Sequence, residues 1–289
     1  MKVMVIGASG QLGTDMCIAL RGFELVPFTK RDIEITDMTS VKEACSKHEP
    51  DVIINTAAYL RVDDCEDDPD KAFLVNALGA RNIAVAAHEI GARLVHISTD
   101  QVFGGETTPG NVPFTEFDNP SPANVYSKSK LAGELLVQQF CLRHFVIRTG
   151  ALFGAAGSSG KGGNFVETIV RLATERSQLE VVNDWIMSPA YAKDLAEKIA
   201  QLITTNYYGI FHITNKGACS WYEFSTEILK LAGINTPVNP ITTEQYPQKA
   251  RRPHYSVLSN YHLKLLGMDD MRPWQDALRH YMIEKGHLK

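Results

Sequence analysis

The chain opens MKVMVIGASGQLG, and no other stretch limits its fold as strongly. Val3 to Ile6 are a continuous apolar run, which reads as a strand covered on both faces. Gly7, Gly10 and Gly13 follow at once, and a helical pattern then runs through Leu20. Glycines at a strand-to-helix turn let the backbone close tightly and lie against a bound group. The helix start beyond them presents free N–H groups and the positive end of a dipole to an anion. A tight turn that binds nothing needs the same glycines. Their position directly after the first strand favours a dinucleotide pyrophosphate.

The next segments repeat the alternation. Phe23–Phe28 reads as a second strand, running into Thr29, Lys30 and Arg31 with no acidic residue where an adenosine ribose would be held. Lys30 or Arg31 could pair with a 2′-phosphate there. That favours NADPH, with NADH as the alternative; a basic loop facing solvent is the bland reading. Ser40–His48 reads as a helix and Val52–Asn55 as a strand, with Thr56, Ala57 and Ala58 small enough for a ligand to approach. The run Asp63, Asp64, Glu66, Asp67, Asp68 reads as a solvated loop capping a helix that begins near Pro69, in preference to a cation site. That helix, through Lys71–His88, carries Asn76. Arg93–Ile97 is a further strand, ending at Ser98-Thr99-Asp100.

Residues 104–123 read as an irregular loop bordering a site. His144–Arg148 is a strand, Gly154–Gly163 a flexible loop, and a helix follows Asn164. Asp194–Leu202, Trp221–Ala232 and Pro273–Glu284 read as helices, and Gly209–Ile213 as a strand. This alternation predicts an α/β fold, a Rossmann-type doubly wound parallel sheet with a smaller mixed C-terminal lobe. Residues 1–150 form the NAD(P)-binding part, with 185–213 returning to it. Residues 151–184 and 214–289 form the substrate lobe.

Composition removes several alternatives. Over 289 residues the net charge is −4 and the basic residues are scattered, which gives no nucleic-acid surface. The five cysteines are odd in number, spread out, and lack any Cys-x-x-Cys. That argues against a disulfide framework or zinc site and for a reducing compartment. No apolar run approaches ~18 residues, so no membrane span is expected, and the reading is a cytoplasmic protein.

The chemistry concentrates in SPANVYSKSKLAGE, residues 121–134. Tyr126 and Lys130 are four apart, so on a helix they share one face. An ammonium beside a phenol favours phenolate, lowering its pKa from ~10 toward the range useful to an acid/base catalyst. A bare Tyr-x-x-x-Lys also describes an ordinary surface helix. The glycine turn and the Ser-Thr-Asp strand end are what make it a candidate site, since small hydroxyl groups there can bond a substrate carbonyl.

Together GASGQLG, STD and YSKSK resemble the extended short-chain dehydrogenase/reductase family, and more narrowly its dTDP-4-dehydrorhamnose reductase branch. The likeness continues through NTAAYLRVDDCE, VNALGARNIA, NVYSKSKLAGE, IRTGALFG, CSWYEF and RRPHYSVL. The resemblance implies a reductase of the C4 keto group of a nucleotide-activated 6-deoxy sugar. Tyr126 would donate the proton, Lys130 would bind the nicotinamide ribose, and Thr99 would bond the reacting oxygen. Gly7, Gly10, Gln11, Leu12 and Gly13 would hold the pyrophosphate, with Ala57, Ala58, Tyr59 and Arg31 also on the cofactor. Asp100, Gln101, Asn164 and Arg252 fall to the substrate side, although Arg251 and Arg252 also fit a surface loop. No metal-ligand spacing compels a cation, and a homodimer is left open.

Four positions depart from the branch: Gln101 replaces a usual tyrosine and Gly105 a usual aspartate, Ala151 stands where some members carry tryptophan, and Leu60 where threonine is frequent. They leave the reaction type intact and open the sugar's identity. Two other readings therefore stand beside the first. One is a different nucleotide 4-keto sugar reductase or an epimerase. The other is a non-catalytic cofactor-binding subunit like that of methionine adenosyltransferase.

Overall fold

The structure is a computed structural model that describes residues 1–105, 111–157 and 163–288. Its first half runs β1 (Lys2–Ile6), α1 (Gln11–Ala19), β2 (Glu24–Phe28), α2 (Met38–His48) and β3 (Val52–Asn55). Short helices α3 (Val62–Asp67) and α4 (Pro69–Phe73) follow, then a π-helical turn (Leu74–Gly79) and α5 (Ala80–Glu89). After these come β4 (Arg93–Ile97), α6 (Val125–Phe140) and β5 (His144–Arg148). The second half holds β6 (Leu152–Phe153), α7 (Phe165–Glu175), β7 (Leu179–Val182), β8 (Ile186–Met187), β9 (Ala190–Tyr191) and α8 (Ala192–Leu202). It ends with β10 (Gly209–His212), β11 (Cys219–Ser220), α9 (Trp221–Ala232), β12 (Val238–Ile241), α10 (Tyr261–Leu265) and α11 (Trp274–Glu284).

Six strands form one parallel sheet in the order β10-β5-β4-β3-β1-β2. Val3, Met4 and Val5 are fully buried, as an inner strand covered on both faces requires. On one face α1 lays Leu12, Met16 and Leu20 against the sheet, beside Leu195 and Ile199 of α8. On the other, Val41 of α2, Ile83 and Ala87 of α5 and Val137 of α6 close the second layer. The strand order reverses between β1 and β3, so a crevice opens at the carboxyl ends there. The expected Rossmann-type α/β architecture is thus the one found.

The helix expected over 71–88 is instead three pieces. Its middle is the π turn, and there the Asn76 side chain accepts from Tyr59 N at 2.8 Å and donates to Tyr59 O at 3.1 Å. Asn76 also donates to Ser129 Oγ of α6 at 3.0 Å. A wide turn inserted in a helix is a recurrent device beside functional sites. Gly133 makes the contact intimate, because a Cβ there would stand 2.3 Å from the Asn76 carbonyl.

A second core joins Phe153, Val166, Ile169, Phe224, Trp274 and Tyr281. The segment 261–271 comes from the range assigned by sequence to the substrate lobe, yet its Leu263 and Met271 pack into the sheet's core. Of the two loops read from the sequence, residues 106–110 and 158–162 lie outside the described residues. Among the described residues, no helix is long and apolar enough to cross a membrane.

Candidate active site

The glycine turn is built as its sequence requires. Gly7 has φ +86, and a Cβ on it would lie 2.5 Å from Thr56 Oγ1. A Cβ on Gly13 would fall 2.1 Å from the Gly7 carbonyl oxygen, so α1 can start this close to β1 only without a side chain. Gly10 caps α1 with no side-chain hydrogen bond, which leaves the first amides directed outward for an anion. Thr56 steadies the neighbouring strand end by donating to Ile6 O at 2.9 Å, and Asn55 Oδ1 accepts from Ala57 N at 3.1 Å. These residues fit a dinucleotide: a side-chain-free cradle, unclaimed helix amides and a small Ala57-Ala58 edge. At the end of β2, Lys30 and Arg31 are exposed, and Asp32 folds back to accept from Thr29 N and Oγ1 at 2.8 and 2.7 Å.

Opposite the turn, α6 carries the predicted pair. Asn124 caps it in a reciprocal box with Ser127, placing Tyr126 and Lys130 on the inward face. Tyr126 is 7% exposed and packs with Val62, Cys65 and Ala250. The expected acidification of Tyr126 by Lys130 is not what this geometry produces. Burial pushes the phenol above its ordinary value, and the group working against it is the Thr99 hydroxyl. Lys130 Nζ instead donates to Ile97 O at 2.6 Å. Burial draws the ammonium down to about 8, while Glu134 works upward.

Thr99 stands just past β4, where Oγ1 donates to Asp100 Oδ1 at 3.1 Å and accepts from Gln101 N at 3.2 Å. Asp100 also accepts from Ser256 Oγ at 2.6 Å. It is buried, and burial raises its carboxyl to about 6 against the pull of the Ser256 and Thr99 hydrogen bonds. Ser256 in turn receives Trp185 Nε1 at 3.2 Å, so a chain of hydrogen bonds reaches Thr99 from the second lobe. Gln101 Oε1 is buried with no partner among the described residues.

The other substrate-side candidates separate. Arg252 Nη2 donates to Asp63 Oδ1 at 2.9 Å, while its Nη1 is buried without a partner among the described residues. Asn164 is committed within the protein: it caps α7 and donates to Gly154 O and Tyr281 Oη, both at 2.8 Å. The acidic run is not a solvated loop throughout. Asp68 does cap α4, accepting from Lys71 N at 3.0 Å. Asp63 and Asp67, however, sit on α3 and latch the segment 249–252 through Ala250 N, Arg252 and Lys249. Asn124 Nδ2 donates to Arg251 O at 2.8 Å, so the latched segment lies against the start of the Tyr126 helix.

Sequence reasoning missed Ser256, Trp185 and Glu134 and left Asn76 without a role. Only Glu134 had a signal, since it continues the four-residue spacing of Tyr126 and Lys130 along α6.

The chain resembles known proteins over nearly its whole length. The family described as RmlD substrate binding domain matches residues 1–286. The chain is 43% identical to the spore coat polysaccharide biosynthesis protein SpsK of Bacillus subtilis, covering 98% of each chain. A dTDP-4-dehydrorhamnose reductase of Clostridium acetobutylicum superposes with a TM-score of 0.94 at 41% identity, over 99% of this chain and 100% of that one. The Bacillus anthracis dTDP-4-dehydrorhamnose reductase in complex with NADP gives 0.93 at 40%, over 98% and 99%.

Proposed function

The chain belongs to the RmlD substrate binding domain family, and from that premise we propose that it reduces the C4 keto group of a nucleotide-activated 6-deoxy-4-keto sugar, with dTDP-4-dehydrorhamnose as substrate and dTDP-rhamnose as product. It is an NAD(P)H-dependent oxidoreductase of the nucleotide-sugar type, and NADPH is its reductant. The observation that carries the proposal is the convergence of Thr99, Tyr126 and Lys130 at the carboxyl ends of the sheet, where the glycine turn also opens.

When bound, the reduced nicotinamide supplies the hydride. Negative charge then develops on the ketone oxygen, and Tyr126 donates the proton that neutralises it. Thr99 stands beside that phenol with the Gln101 amide fixing its oxygen, and its one hydroxyl proton, directed to Asp100 before reaction, turns to the phenolate left behind. Lys130, mostly charged at neutral pH, would hold the ribose hydroxyls of a bound cofactor and add positive potential. The apolar wall of Val62, Cys65 and Ala250 keeps water from the phenol. Arg252 keeps Nη1 for the substrate diphosphate, while Asp63 holds the rest of its guanidinium.

A second reading, a different nucleotide 4-keto sugar, draws on Gln101 and Ala151. Gln101 holds a buried oxygen with no partner among the described residues, and an alanine leaves more room than tryptophan would. The test is oxidation of NADPH with dTDP-4-dehydrorhamnose, repeated with NADH and with Tyr126→Phe. Rapid oxidation lost in the variant supports the proposal. Cofactor binding without oxidation would shift the reading to another sugar or to a non-catalytic subunit, and a Tyr126→Phe variant of full activity would overturn the mechanism.

A further inference from the structure

Glu134 is wholly buried on α6, one helical turn beyond Lys130 on the same inward face. Arg148, at the end of β5 and 2% exposed, grips it with three hydrogen bonds: Nε to both carboxylate oxygens at 3.1 Å and Nη2 to Oε2 at 2.7 Å. The Ser98 hydroxyl donates to Oε1. Ser98 sits between Ile97, whose carbonyl receives Lys130, and Thr99. One carboxylate thus joins the catalytic helix, β5 and the turn that presents Thr99.

Arg148 is itself aimed from behind. Its guanidinium lies over the Phe103 ring at 5.2 Å, and its Nη1 is 3.5 Å from His212 Nε2. The other nitrogen of His212 faces the Phe114 carbonyl at 3.1 Å and must donate to it, which leaves Nε2 as an acceptor. Burial and the nearby Arg148 hold His212 neutral, with its pKa down to about 3. A neutral ring accepting from Arg148 keeps the guanidinium turned toward Glu134.

We infer that Glu134 is a positioning residue of the reduction: its carboxylate, clamped by Arg148, sets where the Lys130 ammonium and the Ser98–Thr99 turn stand. This rests on the reductase reading above. A buried ion pair of this kind contributes little net stability, because desolvating both charges offsets their attraction. Its use here is geometric and electrostatic. Other groups around Lys130 do not replace it. His96 on β4 is uncharged, pushed down by burial and by Lys130 itself, and the raised Asp100 carboxyl already accepts from Ser256 and Thr99. Tyr126 is a neutral phenol. Removing the Glu134 charge should therefore release the Lys130 proton at lower pH.

The test uses the full chain carrying isotopically labelled lysine, with the Lys130 resonance assigned by its loss in Lys130→Met. In Glu134→Gln the NMR titration midpoint of Lys130 should fall by about one pH unit. The alkaline limb of kcat/KM should move down with it, and kcat should drop roughly tenfold to a hundredfold. A midpoint unmoved in a folded variant would overturn the inference. That midpoint is read without any sugar, so it stands even if no nucleotide sugar is turned over by the native enzyme. Ser98→Ala serves if Glu134→Gln does not fold. It should lower kcat severalfold with KM unchanged, and an unaltered kcat would overturn the positioning of the turn.

Discussion

The Lys130 ammonium donates across 2.6 Å to the carbonyl of Ile97, the last residue of the strand that delivers Thr99. This bond ties Lys130 to the backbone next to Thr99, in a site where the lysine is 2% exposed. The position is costly. An unfolded lysine titrates near 10.5 and the folded Lys130 at about 8, so between these values the unfolded chain holds the extra proton. Stability therefore rises with pH through that window, and the full penalty persists below it.

Lys130→Met should accordingly stabilise the protein at neutral pH by up to about 3 kcal/mol while removing turnover. The gain should shrink as pH rises from 8 toward 10.5. Calorimetry of both proteins at neutral and alkaline pH checks this, and a gain independent of pH would contradict it.

Gly13→Ala places a Cβ where only 2.1 Å separates it from the Gly7 oxygen. The turn must open, at a cost of about 1–3 kcal/mol, and NADPH affinity should fall by more than about tenfold as the amides of α1 move. Titration of the cofactor's fluorescence measures the loss. Native affinity in Gly13→Ala would mean that the turn does not carry the pyrophosphate.

Asn76→Ala removes the side chain that satisfies both Tyr59 N and Tyr59 O. Leaving those groups unpaired should cost about 2–3 kcal/mol, seen as a lower melting temperature. Asn76→Asp should keep the bond from Tyr59 N, lose the donor, and fall between the two.

Arg252→Lys should raise KM for the nucleotide sugar by roughly tenfold and leave NADPH affinity unchanged. The planar fork holds Asp63 with one nitrogen and keeps a second, buried and without a partner among the described residues, for another acceptor, which a single ammonium cannot reproduce. Steady-state kinetics separates this from a general loss of folding, since an unchanged KM would remove Arg252 from the substrate side.

Much of the scaffold was legible because its causes are local. The apolar run Val3–Ile6 followed by glycines can hardly be anything but a buried strand and a tight turn, and the four-residue spacing of Tyr126 and Lys130 puts both on one face of any helix that forms. The acidic run was legible only in part. Asp68 acts on its own helix, three residues from the amide it caps, whereas Asp63 bonds Ala250, a partner 187 residues away.

The sequence by itself thus determined the alternation of strand and helix, the glycine cradle, and the shared inward face of Tyr126 and Lys130. Periodicity, turn chemistry and spacing act over a few residues, and a linear reading captures them. Tertiary structure alone decided the acidity of Tyr126, which depends on the wall of Val62, Cys65 and Ala250, and the freedom of Asn164, whose amide is taken by Gly154 and Tyr281. It alone placed Arg148 against Glu134 and Asn76 against Tyr59. Burial and desolvation depend on what covers a group, and what covers these groups arrives from distant parts of the chain.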